Sequence, residues 1–103
     1  MEGREQGMNR EMDKDRVLLV EDDGSLIDGL EYALKKDGFE VEVARSVEEF
    51  GKLYTEGRFD VVLLDVSLPD GNGFEICERI RRTSEVPILF LTAADEEFNV
   101  VRG

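Results

Sequence analysis

Residues 61–75 read "VVLLDVSLPDGNGFE". Four consecutive apolar residues, Val61 to Leu64, run directly into a carboxylate, Asp65. A short apolar run of this kind suits a strand buried on both faces. Pro69, Asp70, Gly71, Asn72 and Gly73 then mark a tight loop. Phe74, Cys77 and Ile80 resume at helical spacing, and that helix closes in the basic run Arg79, Arg81 and Arg82, where positive charge suits a helix C-terminus. The unit is strand, loop, helix, with an acid at the carboxyl end of the strand.

The same unit recurs on either side. "RVLLVEDD" (16–23) is an apolar run ending in three acids, followed by Leu26, Ile27, Leu30, Ala33 and Leu34 at helical spacing. Asp23 or Ser25 can cap that helix, and Gly38 stands where a C-terminal cap belongs. "FEVEVA" (39–44) alternates as a strand, with Val41 and Val43 on one face. Ser46 and Glu49 have capping-box spacing at the start of a second helix, striped by Val47, Phe50, Leu53 and Tyr54 and ended by Gly57. "PILFLT" (87–92) is a fourth strand, and "DEEFNVVRG" (95–103), with acids in its first turn, reads as the start of a fourth helix. Met1 to Asp15 is charged and lacks an apolar face, so it reads as a flexible leader to a domain over 16–103.

Strand–helix alternation builds a parallel sheet covered on both faces, an α/β doubly wound architecture. Ligands of such sheets bind outside the carboxyl ends of the strands. Glu21 and Asp22 follow the first strand, Asp65 ends the third and Thr92 ends the fourth. Carboxylates crowded at one rim repel one another, and a divalent cation relieves that repulsion. Mg²⁺ is held by one or two carboxylates with water and phosphate oxygens.

Composition narrows the chemistry. The chain has 103 residues, enough for one domain, with 13 Lys and Arg against 25 Asp and Glu, a net charge of −12. A nucleic-acid reader needs a basic footprint, so this chain is expected to bind none itself. Histidine is absent, which removes His-based acid–base catalysis, a Ser-His-Asp triad and histidine metal ligands. Cys77 is the single cysteine, so no internal disulfide forms. No signal peptide or membrane-length apolar run is present, and the cytoplasm is the expected compartment.

Competing motifs fit poorly. "GNGFEI" lacks the third glycine of a dinucleotide fingerprint. Calcium-loop spacing counted from Asp65 or Asp70 puts Pro69 or Phe74 at key positions. A phosphatase of the haloacid-dehalogenase type would carry a second Asp two residues after the first, where this chain has Ser67.

"VLLVEDD" (17–23), "VVLLDVSLPDGNG" (61–73) and "VPILFLTA" (86–93) together resemble three motifs of the receiver domain of two-component response regulators, in order and at suitable spacing, over Arg16 to Gly103. The "LPDGNG" form is most similar to the OmpR-like branch of transcription regulators, whose full-length members carry a winged-helix DNA-binding domain. The resemblance implies a flavodoxin-like (CheY-like) fold and a phosphoacceptor role, not an enzyme. It implies that Asp65 takes a phosphoryl group from a sensor histidine kinase acting in trans. Asp22 would bind Mg²⁺ directly, Glu21 through water, and Ser67 through its backbone carbonyl. Thr92 and the Ala93 N–H would contact the phosphoryl oxygens, while Pro69 and Gly73 shape the loop. The family continues into a fifth strand and helix carrying a phosphoryl-pairing lysine and a reporter aromatic residue, so the chain reads as a receiver truncated at its C-terminus. Two consequences are expected: slow or absent phosphorylation, and an exposed apolar edge at Ile88 to Leu91 that drives homo-oligomerisation. The alternative to a phosphoacceptor is a fragment that only interacts or self-associates.

Overall fold

The computed structural model describes residues 15–91 and, for the backbone, 98–101. The leader, apart from Asp15, and the rim residues Thr92 and Ala93 lie outside the described residues. Five strands form one sheet: β1 (Arg16–Val20), β2 (Glu40–Ala44), β3 (Val61–Asp65), β4 (Ile88–Leu91) and β5 (Phe98–Val101), in the order β2-β1-β3-β4-β5. The first four run parallel. Three helices, α1 (Gly24–Lys36), α2 (Val47–Leu53) and α3 (Gly73–Arg81), complete the α/β layering, which bears out the flavodoxin-like expectation.

The apolar strands are continuous because each face meets its own core. On one face Leu18, Val20, Val62, Leu64, Ile88 and Phe90 pack with Phe50 of α2 and Ile76 and Ile80 of α3. On the other Val17, Leu19, Leu63 and Leu91 pack with Ile27 of α1. Alternate residues of a strand point to opposite faces, so β1 sends 17 and 19 one way and 18 and 20 the other. The central strands are sealed: Leu18, Leu19, Val20, Val62 and Leu64 are fully buried.

Caps fix where the helices begin. Asp23 accepts from the N–H groups of Ser25 (2.9 Å) and Leu26 (3.3 Å), the capping role expected of it. Ser46 Oγ accepts from Glu49 N at 3.1 Å, but the Glu49 carboxylate goes to Arg45 N, at 2.8 Å, one residue beyond the box position. A full reciprocal box forms instead at α3, between Asn72 and Glu75. Gly38 takes φ 96° just after α1, a conformation glycine adopts without strain.

The C-terminal expectation fails. Phe98–Val101 is a strand, not the first turns of a helix, and it runs antiparallel along β4, with Leu91 opposite Phe98 and Ile88 opposite Val101. Phe98, Val100 and Val101 are strand-favouring types, and an unpaired strand edge recruits whatever extended segment is near. The fourth strand therefore has backbone partners on both sides within this one chain. The homo-oligomer expected to cover an open Ile88–Leu91 edge loses its stated basis. Among the described residues no helix is long and apolar enough to cross a membrane.

Candidate functional site

The site stands at the carboxyl ends of β1 and β3. Val20 is in register with Leu64, so the next residues, Glu21 and Asp65, fall side by side. Asp65 is itself in register with Leu91 at the end of β4. Parallel pairing of three apolar runs thus delivers acids to one rim.

Glu21 is the one buried charged residue among those described, at 3% exposure. Its Oε2 accepts from the backbone N–H groups of Asp22 (3.1 Å) and Asp23 (3.0 Å). Its Oε1 is buried without a hydrogen-bond partner. Burial pushes the Glu21 carboxyl above its ordinary value, the Asp23 N–H pulls it back, and the charge of Asp65 pushes it up again, as does the hydrogen bond a protonated Glu21 would make to Asp65. Such a group holds its proton more tightly in the folded than in the unfolded chain. Its contribution to stability is fully present below the ordinary value of 4.5 and is lost as the pH rises through the raised folded value. In metal-free buffer Glu21→Gln is therefore expected to raise the melting temperature near neutral pH and to leave it close to parental at about pH 3.5, where neither side chain is charged. A melting temperature lowered at neutral pH would show that the Glu21 charge is stabilising and refute the assignment.

The remaining rim residues are more open. Asp22 and Ser67 are exposed and Asp65 is half-buried. Among the described residues no group of three or more acidic or sulfur ligands is gathered. What the fold does bring together is Glu21 and Asp65. An orphaned buried carboxylate oxygen beside a second carboxylate is a donor pair that fits a hard divalent cation, since Mg²⁺ uses only one or two carboxylates and completes its shell with water.

After Asp65 the chain forms a small hairpin, Ser67–Leu68 against Gly71–Asn72, with Ser67 opposite Asn72. Gly73 N–H then donates to the Val66 carbonyl at 2.9 Å and opens α3. Gly73 is buried against β3: a Cβ there would strike the Asp65 carbonyl oxygen and lie 2.9 Å from Phe90 Cε1. The glycine anticipated as loop-shaping is one that no larger residue can replace without movement. Pro69 stands exposed at the turn beside Asp70.

Two contacts at this rim had no warning in the spacing. The Arg45 guanidinium donates to the Asp22 carbonyl at 3.2 Å. The Asp70 carboxylate, across 23 positions of sequence, accepts from the N–H groups of Val47 (2.7 Å) and Glu48 (3.0 Å) at the start of α2. The Val47 N–H, with that of Glu48, holds the Asp70 carboxyl below its ordinary value.

Residues 17–103 match the family model described as "Response regulator receiver domain". The chain belongs to the response regulator receiver family. The receiver is 46% identical over 87 residues to the transcriptional regulatory protein AfsQ1 of Streptomyces coelicolor, covering 84% of this chain and 39% of that protein. The non-phosphorylated HemR receiver domain from Leptospira biflexa superposes with a TM-score of 0.74 at 45% identity, over 79% of this chain and 66% of that one. A response regulator from Thermotoga maritima, TrrA, in complex with Mg²⁺ and BeF, superposes with a TM-score of 0.72 at 32% identity, over 79% and 71% of the two chains. The receiver thus spans about two fifths of its curated relative. The family drawn from the three motifs is borne out.

Proposed function

We propose that this receiver is a cytoplasmic phosphoacceptor module, not an enzyme, and that Asp65 is its acceptor. The observation that carries the reading is the placement of Asp65 at the end of the central strand β3, directly beside buried Glu21 with its unpartnered oxygen. An Asp65 oxygen attacks phosphorus in line, the bond from phosphorus to the donor's imidazole nitrogen or acyl oxygen breaks, and an acyl phosphate forms on Asp65. With no histidine in the chain, a phosphohistidine donor comes in trans, from a sensor histidine kinase. Positioning and charge neutralisation make up most of such a reaction.

Glu21, Asp22, Asp65 and the Ser67 carbonyl are the residues that would hold Mg²⁺, with Glu21 acting through water. The ion when bound offsets the negative charge of carboxylates and phosphoryl oxygens. Thr92 and the Ala93 N–H are the proposed contacts to the phosphoryl oxygens. The chain's own residues set the geometry: the β1–β3 register fixes the distance between acids, and Gly73 lets α3 close against the Asp65 backbone.

Incubation with acetyl phosphate and Mg²⁺, followed by intact mass, tests the reading. The parent chain is expected to gain at most one phosphoryl group, slowly, and Asp65→Asn none. Asp22→Ala is expected to weaken Mg²⁺ binding about tenfold or more, as loss of a direct carboxylate ligand should. Label trapped on Asp22 or Asp70, or a parental Mg²⁺ titration for Asp22→Ala, would refute the assignments.

A further inference from the structure

The hairpin after Asp65 would be a floppy excursion if only its two short strands held it. Instead its tip is fastened to a different helix. Asp70 reaches α2 and takes up the Val47 and Glu48 N–H groups with one carboxylate. Both belong to the set at a helix start that have no partner inside the helix. Ser46 Oγ takes the next one, Glu49 N–H, so the side chains of two separate segments complete one cap. A second observation agrees. A Cβ on Gly71 would lie 2.9 Å from Val47 Cγ2, so the hairpin backbone is pressed against the same residue that Asp70 binds. Glu48 and Glu49 stand in this turn as like charges, and the short hydrogen bonds to Asp70 form despite them.

The start of α2 is tied in the other direction as well. Arg45 immediately precedes its cap, and the Arg45 guanidinium holds the Asp22 carbonyl in the loop that follows β1. The backbone N–H of Arg45 is itself fixed by Glu49 Oε1. The loop that follows Asp65 and the loop carrying Glu21 and Asp22 are therefore bridged across the start of α2, in addition to being joined through the sheet.

We propose that Asp70 is a positioning residue, whose carboxylate braces the loop after Asp65 against the start of α2 and so holds the acceptor loop in the geometry that phosphoryl transfer needs. Its functional half rests on Asp65 being the acceptor; its structural half does not. Asp70 itself touches no reacting atom.

Amide hydrogen exchange on the full chain, without metal or phosphodonor, tests the brace. Asp70→Ala is expected to speed exchange of residues 67–73 and of Val47 and Glu48 about tenfold, a local opening that leaves Leu18 to Val20 at parental rates. Asp70→Asn keeps one acceptor oxygen and is expected to restore part of that protection. Ser46→Ala removes the neighbouring cap without touching the hairpin, and is expected to loosen α2 while sparing 67–73. Unchanged exchange at 67–73 in Asp70→Ala would overturn the brace, as would equal loosening there in Ser46→Ala or a uniform loss of protection across the sheet. With acetyl phosphate and Mg²⁺, Asp70→Ala is then expected to label severalfold more slowly than the parent, and Ser46→Ala at nearly the parental rate. Equal labelling by Asp70→Ala and parent would overturn the functional half. Label on a residue other than Asp65 would count against Asp65 as acceptor, a parent chain that took none would overturn the functional half for this chain, and the exchange data would decide the brace in either case.

Discussion

Gly73→Ala is expected to lower the unfolding free energy by about 3 kcal/mol, the upper range for forcing an extra methyl into a packed site. The new Cβ would strike the Asp65 carbonyl oxygen, a backbone atom that cannot rotate away, and crowd Phe90 Cε1 at 2.9 Å. Relief requires α3 to shift outward or the end of β3 to bend, and either moves Asp65. Urea denaturation should show an earlier midpoint with little change in slope, and Mg²⁺ binding should weaken in parallel. A variant as stable as the parent would mean that the close approach of α3 to β3 is absent in solution.

Phe50→Ala is expected to be similarly severe, at about 4 kcal/mol. Helix α2 has seven residues and buries only one of them, Phe50, at 2% exposure. A helix that short has no stability of its own in water, so packing must supply it. Phe50 stacks on Tyr54 at 5.1 Å between centroids, and the Arg79 guanidinium lies 5.4 Å from its ring centre. Removing the ring frees α2 from the sheet, together with the cap that Asp70 and Ser46 make. Against a typical domain stability of about 5–15 kcal/mol, the loss should be visible as a large fall in melting temperature. Little change in melting temperature would show that α2 is anchored by something other than this ring.

The strands and helices that position the rim were legible because both signals involved are local. Val17 to Val20 and Val61 to Leu64 are unbroken apolar runs, and Phe50 and Ile80 fall on the helical stripes read from the spacing, although in α3 the stripe named Phe74, which is exposed, and passed over Ile76, which is fully buried. Their carboxyl ends located Glu21 and Asp65 without any need for coordinates. Other features depend on where a side chain goes after it leaves its own segment. Ser46–Glu49 and Asn72–Glu75 have the same spacing, yet only the second closes a full box, because Glu49 is drawn to Arg45 N instead. Asp70 looked like a turn residue, and no periodicity connects it with Val47. The acids at 95–97 read as a first helical turn, but pairing with β4 outweighs that preference for Phe98–Val101. Propensity yields where an open ladder offers hydrogen bonds.

The mixed directions in this sheet also bear on the order in which it assembles. Leu91 and Phe98 are paired across seven positions of sequence, whereas Val17 meets Val61 only across 44. Closing the longer loop costs more entropy before any contact repays it, so non-local parallel pairs form slowly. The β4–β5 ladder is thus expected to zip early and the β1–β3 ladder late. Glu21 and Asp65 become neighbours only in that late event, when two acids must be driven together. Refolding should accordingly quicken when divalent cations are added, and pulse-labelled amides of β4 should gain protection before those of β1. Protection of β1 ahead of β4 would reverse this order. On this view the acidic pair that defines the rim is also the last energetic obstacle on the way to the folded chain.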